Sequence, residues 1–263
     1  MKRSLTSFII SLCVISLCCI PVFATGNSFS WYCVRNKDHL QPIADANMRF
    51  IEDHGGFYVD KNHGNEDSDK VIYLTFDAGY ENGNVAKILD VLKEKKVGAA
   101  FFVLDNIIQK NSDLIFRMID EGHLVCNHTS KHLDVTKCKT VDEFKAELEA
   151  LERVYEDTTG MKMPKYFRPP EGKFSKQSME FAEALGYKTI FWSFAYADWD
   201  NNSQPSREEA KKKILSNHHN GEIMLLHPTS ATNAAILGDL IDELRALGYR
   251  FGSLDELTNA KNG

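Results

Sequence analysis

The chain has few cysteines and lacks a disulfide framework. Six cysteines occur among 263 residues, and three of them lie within the first 24 residues, which leaves Cys33, Cys126 and Cys138. An odd number of thiols excludes the class of small domains that several disulfide bonds hold together. A bridge between Cys126 and Cys138, and three free thiols buried as small hydrophobic groups, are both compatible with the sequence.

The chain also lacks an excess of basic residues. Its formal net charge is -6, and no run of more than three Lys or Arg residues and no nucleic-acid-binding motif follows the first 24 residues. This composition provides no general attraction to nucleic acid, so we exclude a nucleic-acid partner. Internal repeats and low-complexity segments are absent, and a hydrophobic content of 43% is enough for one large core.

The N-terminus has the pattern of an export signal. Lys2 and Arg3 precede an apolar run that ends in the tripeptide VFA at Ala24, which is a small-x-small pattern. We predict a secretory signal peptide over residues 1–24, cleaved after Ala24. An uncleaved membrane anchor is the alternative, because the run is almost long enough to span a bilayer. In both cases we expect export across the cytoplasmic membrane, with the protein secreted or held at the cell envelope.

From Val71 onward, short apolar runs alternate with amphipathic helical patterns. Seven runs are typical of strands, and the six patterns between them have the spacing of helices. The runs are VIYLTF, GAAFFVL, LVCNHT, KYFRPP, KTIFWSFAY, EIMLLHP and YRFGSL. This alternation predicts an α/β fold with a parallel sheet and right-handed crossovers, closed as a barrel. We place the catalytic domain over residues 70–263, and we interpret residues 25–69 as an N-terminal extension packed on the barrel.

Charged and polar side chains stand at the carboxyl ends of the predicted strands, where parallel α/β folds collect their functional groups. These side chains are Asp77, His128, His132, Arg168, Asp198 and His227. Each residue alone has a simpler interpretation, for example Asp77 as a helix cap, Arg168 in a surface ion pair and His227 as a core histidine. Their shared position at the ends of different strands favours a single site.

These residue types together support metal-assisted hydrolysis. The two histidines four residues apart would hold a divalent cation, which polarises a carbonyl group and acidifies a bound water. Asp77 would accept the proton of that water, and His227 would protonate the departing group. Arg168 would orient Asp77, and the carboxylate of Asp198 would keep His227 protonated. Two imidazole ligands favour zinc, with cobalt or manganese as alternatives.

The order of five motifs resembles the polysaccharide deacetylase family, also called the NodB-homology or carbohydrate esterase deacetylases. The segments TFDAG, HTSKH, RPPEG, ADW and LLHP match the five family motifs, in family order, between Thr75 and His227. The resemblance implies a distorted, incomplete (β/α) barrel and metal-dependent removal of acetyl groups, usually N-acetyl groups of glycans. Carried over by position, it implies a catalytic base at Asp77, an acid at His227 and metal ligands at His128 and His132.

The resemblance also implies residues that contact the substrate. Leu225 matches a residue that lines the pocket for the acetyl methyl group, and Trp199 stands beside the acid that supports the catalytic histidine. A backbone N–H near Pro170 to Gly172 is expected to meet the oxyanion. Tyr80 lies in the segment GYENG, and we include it among the candidate substrate-binding residues.

Ala78 departs from the family pattern, because most members carry at this position a second Asp that ligates the metal. The segments WYCVRNKDHLQP, TFDAGYENGNVAKILDVLKEKKVGAAFFV and FWSFAYADWD resemble the subgroup of delta-lactam-biosynthetic de-N-acetylases, which also lacks that Asp. This likeness implies action on peptidoglycan glycan strands after an amidase has removed the stem peptide from N-acetylmuramic acid. It further implies muramic δ-lactam of the spore cortex as the outcome, and a location in the cell envelope or the forespore intermembrane space. We expect a monomer.

Two alternatives stay open. One is a deacetylase of N-acetylglucosamine in peptidoglycan or chitin, or of acetyl groups in xylan. The other is a non-catalytic wall-binding domain that has lost its metal. Ala78 favours this last interpretation, whereas the retention of Asp77, Arg168 and His227 argues against it.

Overall fold

A computed structural model describes residues 27–34 and 38–259. Within these residues the strands are β1 (Ser28–Ser30), β2 (Gly56–Phe57), β3 (Lys70–Ala78), β4 (Ala100–Val103), β5 (Leu124–Asn127), β6 (Tyr166–Phe167), β7 (Lys173–Ser175), β8 (Lys188–Ile190), β9 (Glu222–Leu226) and β10 (Tyr249–Phe251). The helices are α1 (Val85–Lys95), α2 (Asp105–Lys110), α3 (Ser112–Asp120), α4 (Val141–Thr159), α5 (Lys176–Ala184), α6 (Arg207–Leu215), α7 (Ala231–Ala246) and α8 (Leu254–Asn259).

The main sheet curls into an incomplete barrel. Its strands follow the order β3, β4, β5, β6, β8 and β2. β9 pairs with the other edge of β3, and β10 pairs with the first residues of β3 on the same edge as β4. All of these pairings are parallel. Two isolated bridges reach β9 from the other side of the barrel: a parallel one from Phe194, which follows β8, to Met224, and an antiparallel one from Val59, which follows β2, to Glu222. The seven predicted strands are all present, so the predicted α/β fold with an incomplete barrel is confirmed.

Part of the N-terminal extension joins the sheets as well as packing on the barrel. β2 pairs in parallel with β8, and β1 pairs antiparallel with β7. Trp31, Ile51 and Tyr58 are buried in one cluster with Phe174 and Phe191. These strands are only two or three residues long and depend on partners far away in the chain, so local periodicity does not reveal them.

Alternation along β3 determines which side chains face the interior of the barrel. Leu74, Phe76 and Ala78 belong to the apolar cluster between the sheet and its helices. Tyr73 belongs to the cluster inside the barrel. Because side chains alternate along a strand, Asp77 faces inward and Ala78 faces away from it. In the segment TFDA, the carboxylate of Asp77 thus faces the interior of the barrel, whereas its neighbours Phe76 and Ala78 face the helices.

Three further predictions from the sequence concern the cysteines, the signal peptide and a membrane anchor. Cys33, Cys126 and Cys138 are free, and the last two are buried, as expected for small hydrophobic groups. The predicted signal peptide over residues 1–24 lies outside the described residues. In the part of the chain that the structure describes, none of the helices has the length and hydropathy needed to cross a bilayer.

Candidate active site

Asp77 lies at the carboxyl end of β3 between a guanidinium group and an imidazole. Nη1 of Arg168 donates to Oδ1 of Asp77 at 2.9 Å, and Nε2 of His128 lies 3.6 Å from Oδ2. The side chain of Asp77 is 11% exposed. Burial opposes its ionisation, but the neighbouring imidazoles and the guanidinium group outweigh burial and lower the pKa of Asp77. The residue is therefore held as a carboxylate that solvent still reaches.

Arg168 follows β6 and is completely buried. Its Nε donates to the carbonyl oxygen of Ile190 at 2.9 Å, and its Nη2 donates to the hydroxyl of Thr75 at 2.9 Å. The guanidinium plane also packs 4.2 Å from the ring centroid of Phe102. A guanidinium group with this many partners has a fixed position, so it fixes the carboxylate of Asp77 as well.

Thr75 is a member of the site that the sequence patterns did not identify. It precedes Asp77 by two residues on β3, so the two side chains share the inner face. The hydroxyl of Thr75 accepts from Arg168 and donates to the carbonyl oxygen of Met224 at 2.8 Å. A threonine inside an apolar run is typical of an ordinary strand residue, and only its partners reveal its role.

His128 directly follows β5 and is oriented by a backbone carbonyl group. Its Nδ1–H donates to the carbonyl oxygen of Arg168 at 2.8 Å, which leaves Nε2 directed at Asp77. Burial is the main reason that the pKa of His128 falls to about 4. His128 is thus neutral near pH 7, which is the form that ligates metals.

His132 reaches the same place through a loop and not along a helix face. Thr129 and His132 both have left-handed backbone, with φ of 65° and 60°. The amide oxygen of Asn127 accepts from the N–H of Thr129 at 2.9 Å, and the Thr129 hydroxyl accepts from the N–H of Leu133 at 3.0 Å. The rings of His128 and His132 lie 5.1 Å apart, edge to face. This loop brings the two predicted ligands together.

Two side chains in this corner are of the type that holds a divalent metal. They are His128, which is neutral and has a free Nε2, and His132, whose imidazole is exposed, and the carboxylate of Asp77 lies beside them. The methyl group of Ala78 lies in the outer apolar cluster, so this position adds no donor. Across residues 27–34 and 38–259, no group of three or more possible ligand side chains has the geometry of a complete metal site.

His227 and Asp198 form the second half of the site. The Nδ1–H of His227 donates to Oδ1 of Asp198 at 2.7 Å, and its backbone N–H donates to Oδ2 at 2.8 Å. Burial disfavours the imidazolium, but Asp198 and the charge of Asp77 outweigh burial and raise the pKa of His227. Nδ1 of His227 is bound to Asp198, so Nε2 of the protonated ring remains to donate a proton.

The predicted substrate-binding residues lie around this centre with different exposures. Leu225 is buried on β9 opposite Thr75. Trp199 is 60% exposed, and its ring lies 6.0 Å from that of His227. Tyr80 is exposed, and its hydroxyl accepts from the side-chain amide of Asn201 at 2.6 Å. The two exposed aromatic rings are therefore free to contact a ligand.

The short turn after Arg168 contains the three residues from which the backbone N–H donor to the oxyanion is expected, and only one of them has a suitable N–H. Pro170 has no N–H, and the N–H of Gly172 already donates to the carbonyl oxygen of Pro169 at 3.0 Å. Glu171 has left-handed backbone with φ of 55°, which directs its N–H differently from those of its neighbours. Of the three residues in the predicted stretch, Glu171 is the one whose N–H can serve.

Comparisons with known proteins agree with this geometry. The profile of the polysaccharide deacetylase family matches residues 64–190. The peptidoglycan N-acetylmuramic acid deacetylase PdaA of Bacillus subtilis is 38% identical over 253 residues, which cover 92% of this chain and 94% of that protein. The solved structure of B. subtilis PdaA, described as a family 4 carbohydrate esterase, superposes with a TM-score of 0.83 over 90% of this chain and 99% of that chain.

Two further relatives extend the comparison. The structure of a family 4 carbohydrate esterase from Bacillus anthracis is 37% identical, with a TM-score of 0.73, and the match covers 91% of this chain and 99% of that chain. The peptidoglycan N-acetylglucosamine deacetylase PgdA of Listeria monocytogenes is 35% identical over 194 residues, which cover 74% of this chain and 40% of that protein. The likeness to PdaA and to the B. anthracis esterase thus spans nearly the whole chain.

Proposed function

The chain belongs to the polysaccharide deacetylase family, and we propose that it removes N-acetyl groups from N-acetylmuramic acid in peptidoglycan. The observation that carries this proposal is the 38% identity to PdaA over 92% of this chain and 94% of that protein. The match to PgdA of Listeria monocytogenes, which is named for N-acetylglucosamine, covers a smaller share of both chains. We further propose that the substrate is glycan from which an amidase has removed the stem peptides.

The chain's own residues divide the acid and base tasks between two sides of the site. Asp77 would accept a proton from the attacking water, because its carboxylate is ionised and reached by solvent. Arg168 would hold Asp77 in position. His227 would donate a proton to the amide nitrogen as it departs, because Asp198 favours the imidazolium. Opposite pKa shifts of two groups in one site are typical of such an acid and base pair.

His128 and His132 would hold a divalent cation beside Asp77, and zinc is the metal that we propose, with cobalt or manganese as alternatives. When bound, the cation would supply Lewis-acid polarisation of the acetyl carbonyl group and of water. We propose that the N–H of Glu171 donates to the same carbonyl oxygen as negative charge develops there. Leu225 would contact the acetyl methyl group, and Trp199 the sugar.

We also propose the biological setting. Once the amide is cut, the free amine and the lactyl carboxyl group of muramic acid lie on one sugar, so closure to a δ-lactam has little entropic cost. Formation of muramic δ-lactam in the spore cortex would follow, in which the amine and the carboxyl group join as an amide and release one water. The predicted leader supports action outside the cytoplasmic membrane, in the envelope or the forespore intermembrane space, and we propose that the chain acts there as a monomer.

The experiment that tests this proposal is acetate release by the purified protein. We expect release from peptide-free N-acetylmuramic acid glycan in the presence of a divalent cation, and much less from chitin oligomers. Equal rates on the two substrates would favour the N-acetylglucosamine alternative. No release with any divalent cation would favour the wall-binding alternative.

The Asp77→Asn variant tests the assignment of the base. It keeps the shape of the side chain but cannot accept a proton, so we expect kcat to fall by about a hundredfold or more. Binding of the metal, measured by titration calorimetry, should persist because both histidines remain. Asp157→Asn, on the exposed face of α4, is the matched control and should keep wild-type kcat. Substantial turnover by Asp77→Asn would show that another group is the base.

A further inference from the structure

Asn233 contacts both members of the pair formed by Asp198 and His227. It lies in the first turn of α7 and is 1% exposed. Its Nδ2 donates to Oδ2 of Asp198 at 2.6 Å and to the carbonyl oxygen of His227 at 3.1 Å. Both N–H groups of this buried amide therefore have acceptors, one on Asp198 and one on His227, as buried polar groups require.

The orientation of this amide is determined by its partners. The hydroxyl of Tyr196, which is also buried, donates to Oδ1 of Asn233. A carboxylate and a carbonyl group can only accept, so the two protons of the amide must face Asp198 and His227. Burial raises the pKa of Tyr196 and keeps its hydroxyl protonated as a donor. Every hydrogen-bonding atom of the Asn233 side chain is therefore paired in one orientation.

The start of α7 fixes the backbone of Asn233. Ser230 caps the helix, and its hydroxyl accepts from the N–H of Asn233 at 3.0 Å. The same hydroxyl donates to Oε1 of Gln204 at 2.5 Å, and Nε2 of Gln204 donates to the carbonyl oxygen of Asp198 at 2.8 Å. The segment that carries Asp198 is thus connected to the helix start through two separate side chains.

We propose that Asn233, oriented by Tyr196, is the positioning residue that holds the carboxylate of Asp198 in place to bind His227. The inference rests on the proposed role of His227 as the acid. Oδ2 of Asp198 accepts from Asn233 and from the backbone of His227, which leaves Oδ1 for the imidazole. Without Asn233 the carboxylate loses a buried donor and can rotate away from Nδ1, so the imidazolium loses part of its stabilisation.

The other groups that act on His227 are not among the hydrogen-bond partners of the Asn233 side chain, which are Asp198, His227 and Tyr196. Asp77 raises the pKa of His227 and Arg168 lowers it; Asp77 lies on β3, and Arg168 follows β6. The ring of Trp199 packs against the imidazole edge to face. A shift in the titration of His227 in an Asn233 variant therefore reports on the contacts of Asn233 with Asp198 and with the carbonyl group of His227.

The test measures the pKa of His227 by NMR of protein with 13C-labelled histidine, with His227→Gln used to assign the signal. In Asn233→Ala we expect the pKa of His227 to fall by about half a unit or more. With peptide-free muramic acid glycan we expect kcat to fall about tenfold with little change in KM, and the alkaline limb of activity to move to lower pH. Asn217→Ala, a change of a buried asparagine beyond α6, is the control and should shift neither quantity.

Tyr196→Phe is the second variant and retains Asn233. It removes one hydroxyl, so we expect a smaller shift of the His227 pKa in the same direction. An unchanged His227 pKa in a folded Asn233→Ala variant overturns the proposal, and so does an unchanged value in Tyr196→Phe if Asn233→Ala does not fold. The NMR measurement needs no substrate. If the wild-type protein releases no acetate, the proposed function fails while this coupling is still measured.

Discussion

At the scale of single residues, the opposite pKa shifts of Asp77 and His227 predict the pH dependence of activity. Asp77 must be ionised, and its pKa is lowered, so the acid limb of kcat/KM is expected below pH 4 for this group alone. His227 must be protonated, and its pKa is raised, so activity is lost as pH rises through a value above about 6.5. The two limbs should enclose a broad maximum.

Asp198→Asn separates the contribution of the carboxylate to this profile. The variant removes the charge that favours the imidazolium, so the pKa of His227 falls and the alkaline limb moves to lower pH. The measurement is kcat/KM for acetate release between pH 4 and 10. Asp200→Asn, which changes an exposed carboxylate two residues away, is the control. An alkaline limb that stays in place in Asp198→Asn would contradict the assignment of His227 as the acid.

Thr75→Val tests the hydrogen bond below the catalytic carboxylate. Valine has nearly the same shape as threonine, but it leaves both Nη2 of Arg168 and the carbonyl oxygen of Met224 without the hydroxyl. We expect a loss of about 1–3 kcal/mol in the free energy of unfolding, together with lower kcat because the guanidinium group is held less firmly. Urea denaturation and acetate release measure the two effects. Thr75→Ser keeps the hydroxyl and should retain most of the activity. If Thr75→Ser and Thr75→Val lose the same activity and stability, packing and not the hydroxyl is the cause.

At the scale of strands and loops, the sequence was informative where a pattern is local. An apolar run that ends in a polar residue is visible within a few positions, which is why the strand ends at Asp77 and His227 were predicted. The hydrogen bond between Thr75 and Arg168 joins residues 93 positions apart, and that between Asn233 and Asp198 joins residues 35 apart. Contacts of this range depend on the closed sheet, so no local pattern could predict them.

Two asparagines connect the loop after β3 with the loop after β9. The side-chain amides of Asn82 and Asn84 both donate to the carbonyl oxygen of Thr229, at 2.8 and 3.0 Å. One loop follows Asp77 and the other follows His227, so this contact holds the base side and the acid side of the site at a constant separation. The segment ENGN therefore has a structural role beside the site.

Replacing Asn82 and Asn84 together with Ala should loosen this connection. We expect kcat/KM to fall several-fold and the free energy of unfolding to fall by about 1–2 kcal/mol, since each hydrogen bond contributes about 1 kcal/mol. Exchange of the backbone amide hydrogens of His227, Thr229, Ser230 and Ala231 should become faster. Asn47→Ala, at an exposed position in the N-terminal segment, is the control. Unchanged exchange in this loop would show that other contacts fix it.

At the scale of the whole molecule, the two ends of the barrel have different tasks. The carboxyl ends of the strands carry the site, whereas the amino-terminal end is closed by α8 and by the N-terminal segment. Leu254 and Leu257 of α8 belong to the cluster inside the barrel. Asp60, from the N-terminal segment, is buried and accepts from the hydroxyl of Tyr73 at 2.5 Å. Because this end of the barrel is covered, some polar side chains of the chain are buried inside it.

Glu222 is another buried polar group at this end, and its pKa is raised. It begins β9 and is completely buried. One oxygen accepts from the N–H of His219 at 3.1 Å, and the other has no hydrogen-bond partner among the described residues. Burial raises the pKa of Glu222 to about 8, against the opposing effect of the His219 N–H. The carboxyl group is therefore protonated in the folded protein at neutral pH and ionised in the unfolded chain.

This difference predicts how the stability of the whole chain changes with pH. Because the folded state holds the proton more tightly, the stability linked to Glu222 is fully present below pH 4 and is lost progressively as pH rises to about 8. Glu222→Gln keeps the shape of the side chain and cannot ionise. We expect the free energy of unfolding of Glu222→Gln to exceed that of the wild type by roughly 2–4 kcal/mol at pH 8, and the two proteins to agree within about 1 kcal/mol at pH 4.

Urea denaturation of the wild type and of Glu222→Gln across this pH range measures the difference. The titration of all other groups is the same in both proteins and cancels. Glu94→Gln, on the exposed side of α1, is the control. A difference between Glu222→Gln and the wild type that does not change with pH would show that Glu222 is ionised in the folded protein.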